Sequence, residues 1–202
     1  RVSIGLPPSL SRLITVPLCQ AFKHKLPGAQ LTLTEGFSLQ MYESLRSGRL
    51  DMAVLYNPSP TPELETAPLH EESLMLISSP QAAQQQGLKT KGALSLAQVA
   101  RLPLILPSQP NAFRLLIDAE MQTIQQRPKV GFAVLPPYTL SRQNPGQAFS
   151  LHRIGPPQLM SQLKLVWSAR RQLTPTHQAA IAITRERVSE ALRGFIDGMK
   201  GI

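Results

Sequence analysis

Between Val2 and Tyr56 the hydrophobic pattern changes period four times, and few folds accommodate that. A β-type run from Val2 to Leu6 ends abruptly in Gly5-Leu6-Pro7-Pro8. A helical pattern follows from about Leu10 to Leu26, with Pro17 inside it, and Pro27-Gly28 stops it. Pro17 lacks an N–H and crowds the carbonyl four residues back, which predicts a kink or a fresh helix start there. Gln30 to Thr34 alternates, with Leu31 and Leu33 against Thr32 and Thr34, and reads as a strand. Ser38 is a suitable N-cap for a second helix with Leu39, Tyr42 and Leu45 on its apolar face. Gly48 is placed to end that helix in the left-handed conformation. Met52 to Tyr56 is the third strand. The order βαβαβ with helical crossovers requires parallel strands, so the chain is predicted to be α/β.

The chain leaves this unit through the Pro-rich NPSPTPELET. Short strands are expected at Thr66 to Leu69 and Leu74 to Ser78. A polar stretch and a short helix, Leu96 to Ala100, lead to a strand at Leu104 to Leu106 that again ends in Pro-Ser, at Pro107-Ser108. A helix from about Ala112 to Gln126, with Phe113, Leu116, Ile117, Met121 and Ile124 on one face, stops at Arg127-Pro128. The first unit thus starts again. It does not finish, because only Lys129, Val130 and Gly131 separate Pro128 from the next strand, Phe132 to Leu135. A parallel crossover needs a dozen or more residues. The repeat therefore lacks a strand and a helix between Val130 and Gly131, roughly 25 to 30 residues by the length of such units. Strands at Phe149 to Ile154 and Gln162 to Trp167 follow. A long terminal helix closes the chain, capped by Thr174-Pro175, with Val188, Leu192, Phe195 and Met199 on one stripe.

Several function classes are excluded or disfavoured. The charge is +9, from 21 Lys+Arg against 12 Asp+Glu, but residues 51–100 hold only two Lys against five acids. No consecutive basic block exists and aromatics are 5%, too few for a surface that stacks single-stranded nucleic acid. The one cysteine, Cys19, permits no internal disulfide; its apolar neighbours read it as a small core residue, and a reducing cytoplasm fits. No apolar run is long enough to cross a membrane, and no signal peptide is visible. A chain beginning at Arg1 is expected to be a piece or a processed product.

The four histidines, His24, His70, His152 and His177, have no metal-site spacing, and neither a nucleophile elbow nor a phosphate-binding glycine loop is present. Catalytic residues, metals and cofactors are therefore expected to be none. If the chain were an enzyme, Glu35 is the one placeable acid or base. The strand ends instead offer hydroxyls and helix N-termini: Ser9 and Ser11 after the first strand, Ser38 after the second, Ser108 in the repeat. Ligands in open α/β sheets bind beyond the carboxyl ends of strands, where helix N-termini favour a carboxylate or other small anion. The prolines stiffen such a loop before ligand arrives. Arg114 is a further candidate anchor, or a solvated side chain.

The residues Pro17-Leu18, Pro27-Gly28, Leu31-x-Leu33, Glu35-Gly36, Leu45 and Gly48-Arg49-Leu50-Asp51-Met52-Ala53 together resemble the effector-binding domain of LysR-type transcriptional regulators. Pro68-Leu69-x-Glu71-Glu72-x-Leu74, Pro103-Leu104-Ile105 and Gly131-x-x-Val134-Leu135-Pro136 extend the resemblance over nearly the full chain, more loosely in its latter half. The LPPS and EG pieces look like the nitrogen-assimilation or cyanate-type branch. The resemblance implies a type II periplasmic-binding-protein-like fold of two Rossmann-like subdomains joined by two crossing strands, residues 1–73 with 159–202 and residues 74–158. It implies a small-molecule effector in the cleft between them, lined by Pro8, Ser9, Leu10, Ser11, Gly36, Phe37, Ser38, Tyr56, Asn57, Pro107, Ser108 and Phe132. It implies a homodimer or tetramer, and DNA binding only through an N-terminal winged helix-turn-helix that is not in this sequence. Effector binding would shift the population of subdomain orientations. The competing reading is an extracytoplasmic solute-binding protein of the same fold, and a more distant one is an enzyme built on it.

Overall fold

The computed structural model describes residues 1–88, 92–125, 129–136 and 149–199. In chain order the elements are β1 (Val2–Leu6), α1 (Pro8–Lys25), β2 (Leu31–Glu35), α2 (Ser38–Arg46), β3 (Met52–Tyr56), β4 (Leu64–Ser73), β5 (Met75–Ser78) and α3 (Pro80–Gln85). There follow β6 (Ala93–Leu94), α4 (Leu96–Arg101), β7 (Pro103–Ile105), α5 (Ala112–Thr123), β8 (Lys129–Leu135), β9 (Ser150–Ile154), β10 (Met160–Ser168) and α6 (Pro175–Met199). Two compact units result, Arg1–His70 with Gln162–Ile202, and Glu71–Ser161.

The first unit is built on a sheet of order β2-β1-β3-β10-β4. β1 pairs in parallel with β2 and β3, while β10 runs antiparallel to β3. Every residue of β1 and β3 is buried. Strands read as unbroken apolar runs when helices cover both faces of the sheet. α1 places Leu10, Ile14, Leu18 and Phe22 at successive four-residue steps, all buried. Each such side chain contributes about 2 kcal/mol by leaving water. α1 packs on α6, and α6 reaches β1. α2 covers β3 with Met41 and Leu45, which join Leu50, Ala53, Leu55, Leu64 and Val166 in one cluster with Tyr42 packed against it. The contact is close enough to demand Gly5: a Cβ there would meet Met41 Sδ at 2.5 Å and Leu50 Cδ1 at 2.7 Å.

Several expectations change here. α1 runs unbroken through Pro17. Cys19 is exposed, not in the core, because it follows Leu18 and so lies a quarter turn off the buried stripe. Leu39 is exposed and Met41 takes its place on the inner face of α2. The strand expected at Thr66 to Leu69 is the middle of the ten-residue β4. The expected helix stop at Arg127-Pro128 and the Met199 side chain lie outside the described residues.

The second unit has sheet order β6-β9-β5-β8-β7. β8 pairs in parallel with β7 through the α5 crossover and antiparallel with β5. One strand, β8, runs straight through Val130-Gly131, and its ladder to β7 shifts register between Pro103 and Leu104. Residue by residue, β8 stands where β3 stands in the first unit: Ile77 faces Ala133 across the antiparallel ladder as Val166 faces Ala53. β7 stands where β1 stands. Among the described residues nothing takes the places of β2 and α2, so β7 is the edge of its sheet. Burial follows: β3 is wholly buried, whereas β8 alternates from Phe132 to Leu135 and Ile105 of β7 is 59% exposed.

Candidate functional site

The C-terminal ends of β1, β2 and β3 lie side by side because the strands are parallel and in register. Two helices start there, α1 after Pro7 and α2 after Phe37, and at neither does the N-cap side chain accept a bond from the helix. Ser38 is therefore the first residue of α2 and not its cap. Its hydroxyl is used elsewhere: it accepts the backbone N–H of Tyr56 at 3.1 Å. Ser9 lies in the first turn of α1, and its hydroxyl meets the Tyr56 hydroxyl at 3.1 Å. Ser11 bonds to Thr15 one helical turn on. Leu10 is fully buried and anchors the turn, while Phe37 is 59% exposed. Gly36 donates its N–H to the Leu6 carbonyl, which draws the loop after β2 across the end of β1.

Asn57 follows Tyr56 with a positive φ of 46°. Its N–H donates to the Gln162 carbonyl at 2.8 Å, and its Oδ1 accepts the Gln162 N–H at 2.8 Å. Ser9, Ser38, Tyr56 and Asn57 thus form one connected group in the first unit, with Pro8, Leu10 and Gly36 supporting it.

The second-unit candidates are placed differently. Pro107 and Ser108 are in the loop after β7, and the cap of α5 is Asn111, whose Oδ1 accepts the N–H groups of Phe113 and Arg114. Ser108 therefore does not repeat the position of Ser9. Phe132 is buried opposite Leu104. Arg114 is held by Asp118 at 2.8 Å, neither an unpaired anchor nor simply solvated. Glu35 is exposed.

A second polar group occupies the opposite end of the first sheet. Asp51 accepts the Ser3 N–H at 2.7 Å and the Ser3 hydroxyl at 2.8 Å, pairs with Arg171, and faces His177 Nε2 at 3.5 Å. Burial pushes the Asp51 carboxyl up, but the Ser3 bonds and the charges of Arg171 and His177 outweigh it and hold the group below the usual carboxylate range. His177 Nδ1 accepts from Thr174 while the His177 N–H donates to the Thr174 hydroxyl, a reciprocal cap on α6. Sequence reasoning missed this group; the spacing Thr174-x-x-His177 was its local signal. Among the described residues no cluster of His, Cys, Asp and Glu could hold a metal ion, and no helix is long and apolar enough to cross a membrane.

Comparison with known proteins bears on this arrangement. The family model described as the LysR substrate binding domain matches residues 1–134. The nitrogen assimilation regulatory protein nac of Klebsiella aerogenes is 30% identical over 209 residues, covering 94% of this chain and 66% of that protein. The chain therefore spans just under two thirds of the length of this relative. A solved C-terminal domain of a probable LysR family transcriptional regulator from Rhodococcus sp. RHA1 aligns with a TM-score of 0.73 at 21% identity, covering 91% of this chain and 98% of that one. The effector binding domain of QuiR in complex with shikimate aligns at 0.75 and 16% identity, covering 94% and 97%. These structures establish the type II periplasmic-binding-protein-like fold, and the curated relatives are regulators, not enzymes. With a family model covering residues 1–134 and a parallel-stranded unit that carries its motifs, this chain belongs to the LysR substrate-binding domain family.

Proposed function

We propose that the chain is the effector-sensing part of a cytoplasmic LysR-type transcriptional regulator. In this reading it binds a small carboxylate against Ser9, Ser38 and Tyr56. The observation that carries it is the Ser9–Tyr56 hydroxyl pair at 3.1 Å, set beside two helix N-termini whose caps supply no side-chain acceptor. Within the pair one O–H donates to the other oxygen, so the pair can turn one O–H to a ligand in a fixed geometry, and the helix ends favour negative charge. The family resemblance adds that the ligand bridges the two units, with Pro107, Ser108 and Phe132 on the second side. It adds that an oligomer couples occupancy to an N-terminal DNA-binding domain outside this sequence. Coupling then requires the effector to bind one orientation of the units more tightly than another. Shikimate, the molecule bound to QuiR, is a hydroxylated carboxylic acid of the size and chemistry such a group would take.

The test is a thermal-shift screen of the 202-residue chain against small organic acids including shikimate, amino acids and inorganic anions. A ligand at a hundred times its Kd adds about 2.7 kcal/mol, a shift of about 5–10 °C for a chain this size. Ser9→Ala and Tyr56→Phe should each weaken binding about five- to tenfold, the worth of one hydrogen bond. A saturating ligand whose affinity neither substitution changes would place the site elsewhere.

A further inference from the structure

Asn57 was expected to line the ligand site, and its N–H and Oδ1 both go to Gln162. Its φ of +46° is uncommon for any residue with a Cβ, and Asn is among the few that tolerate it. Backbone held in this region persists where its surroundings fix it. Here the fixing partner is Gln162.

β3 and β10 pair antiparallel up to Tyr56 opposite Leu163. One residue further, the left-handed turn takes the chain out of the ladder. The ladder nonetheless gains another rung. The Asn57 N–H donates to the Gln162 carbonyl, and the side-chain Oδ1 accepts the Gln162 N–H, both at 2.8 Å. The side-chain amide oxygen stands in for a strand carbonyl. Gln162 is the residue at which the chain re-enters the first unit, directly after the fully buried Ser161. At its other end the Tyr56-Asn57 pair is held by Ser38 through the Tyr56 N–H and by Ser9 through the Tyr56 hydroxyl. One dipeptide thus touches the hydroxyls of the proposed ligand site and fixes Gln162, the third residue of β10 and the first of it that belongs to this unit.

We propose that Asn57 is a positioning residue that ties the Ser9–Ser38–Tyr56 group to the point where β10 re-enters the first unit. The proposal rests on the effector reading only for its purpose; the tie itself is testable without ligand. Asn57 does not contact effector. It holds Gln162 in register with Tyr56, so displacement of Tyr56 is felt at Gln162.

The experiment is amide hydrogen exchange on the whole chain, resolved at residues 160–166. Asn57→Gly keeps the left-handed backbone and removes Oδ1; Asn57→Asp keeps an acceptor. In Asn57→Gly the Gln162 amide should exchange about fivefold faster or more, the factor expected for one lost hydrogen bond. Amides from Leu163 to Val166 should be unchanged, and Asn57→Asp should stay near wild type. Tyr56→Phe, which removes the bond to Ser9, should speed Gln162 exchange in the wild-type background and add nothing in Asn57→Gly. Gln162 exchange unchanged within about twofold in Asn57→Gly, less than one hydrogen bond is worth, overturns the proposal. Equal effects of Tyr56→Phe in both backgrounds do the same. Failure of the ligand screen would leave these outcomes intact, so the two readings fail separately.

Discussion

Replacing Asp51 by alanine should cost the first unit about 3 kcal/mol, because a buried N–H and a charge-assisted bond are lost together. The side chain of Asp51 is 9% exposed, and Ser3 beside it is buried. Alanine leaves the Ser3 N–H with no acceptor, worth about 1–3 kcal/mol, and deletes a bond to an ionised group of about 1.5–3 kcal/mol. The Arg171 pair adds little, since its guanidinium is half in solvent. For a chain of this size that loss corresponds to a fall in Tm of about 6–12 °C. Trp167 pairs with Met52, the neighbour of Asp51, so its fluorescence follows the melt of this region.

The pH dependence has a definite sign. The folded carboxyl titrates below its unfolded value, so its contribution is fully present above the unfolded value, about pH 4, and is lost as pH falls through the lower folded value. The gap between wild type and Asp51→Ala should hold from pH 7 to about pH 5 and narrow below about pH 4. A gap under about 1 kcal/mol at pH 7 would refute the energetics, being less than one unsatisfied buried N–H. A gap that stays constant down to pH 3 would refute the electrostatic half.

Two further outcomes follow from the packing. Gly5→Ala should destabilise by about 1–3 kcal/mol through overpacking against Met41 and Leu50, and Met41→Leu in the same chain should recover part of it; additive urea midpoints would show that the clash is relieved elsewhere. Cys19 should react stoichiometrically with a thiol reagent in the folded chain, and Cys19→Ser should shift stability by less than about 0.5 kcal/mol; slow labelling that tracks unfolding would mean the thiol is buried.

The first unit was legible because its signals are local. β1, α1, β2 and β3 each announce themselves by period and end at Pro, Gly or a turn, and Gly48 adopts the left-handed conformation read for it. The second unit was harder. α3 buries only Ala83, and β6 is two residues long, so neither carries enough pattern to detect. Residue type also misled where a partner lies far along the chain. Ser38 looks like a cap, but its hydroxyl answers to the backbone N–H of Tyr56, 18 residues on; Ser9 answers to the hydroxyl of the same residue across 47 residues. The geometry of Asn57 is decided by Gln162, 105 positions away, though Asn followed by Pro58 did mark a turn. Cys19 shows a different failure: an apolar neighbourhood in sequence is not an apolar face of a helix.

Among the described residues no strand fills the position beside β7, and this has a consequence for solubility. A strand with an open side is a template on which a second molecule can extend the sheet, and an exposed isoleucine makes such pairing adhesive. β7 limits the hazard by being only three residues long and by starting with Pro103, which has no N–H to offer. That restraint is thin. Lengthening this strand, or replacing Pro103 with a β-branched residue, would turn a blunt margin into a seeding surface, and aggregation would set in before any loss of folding was seen.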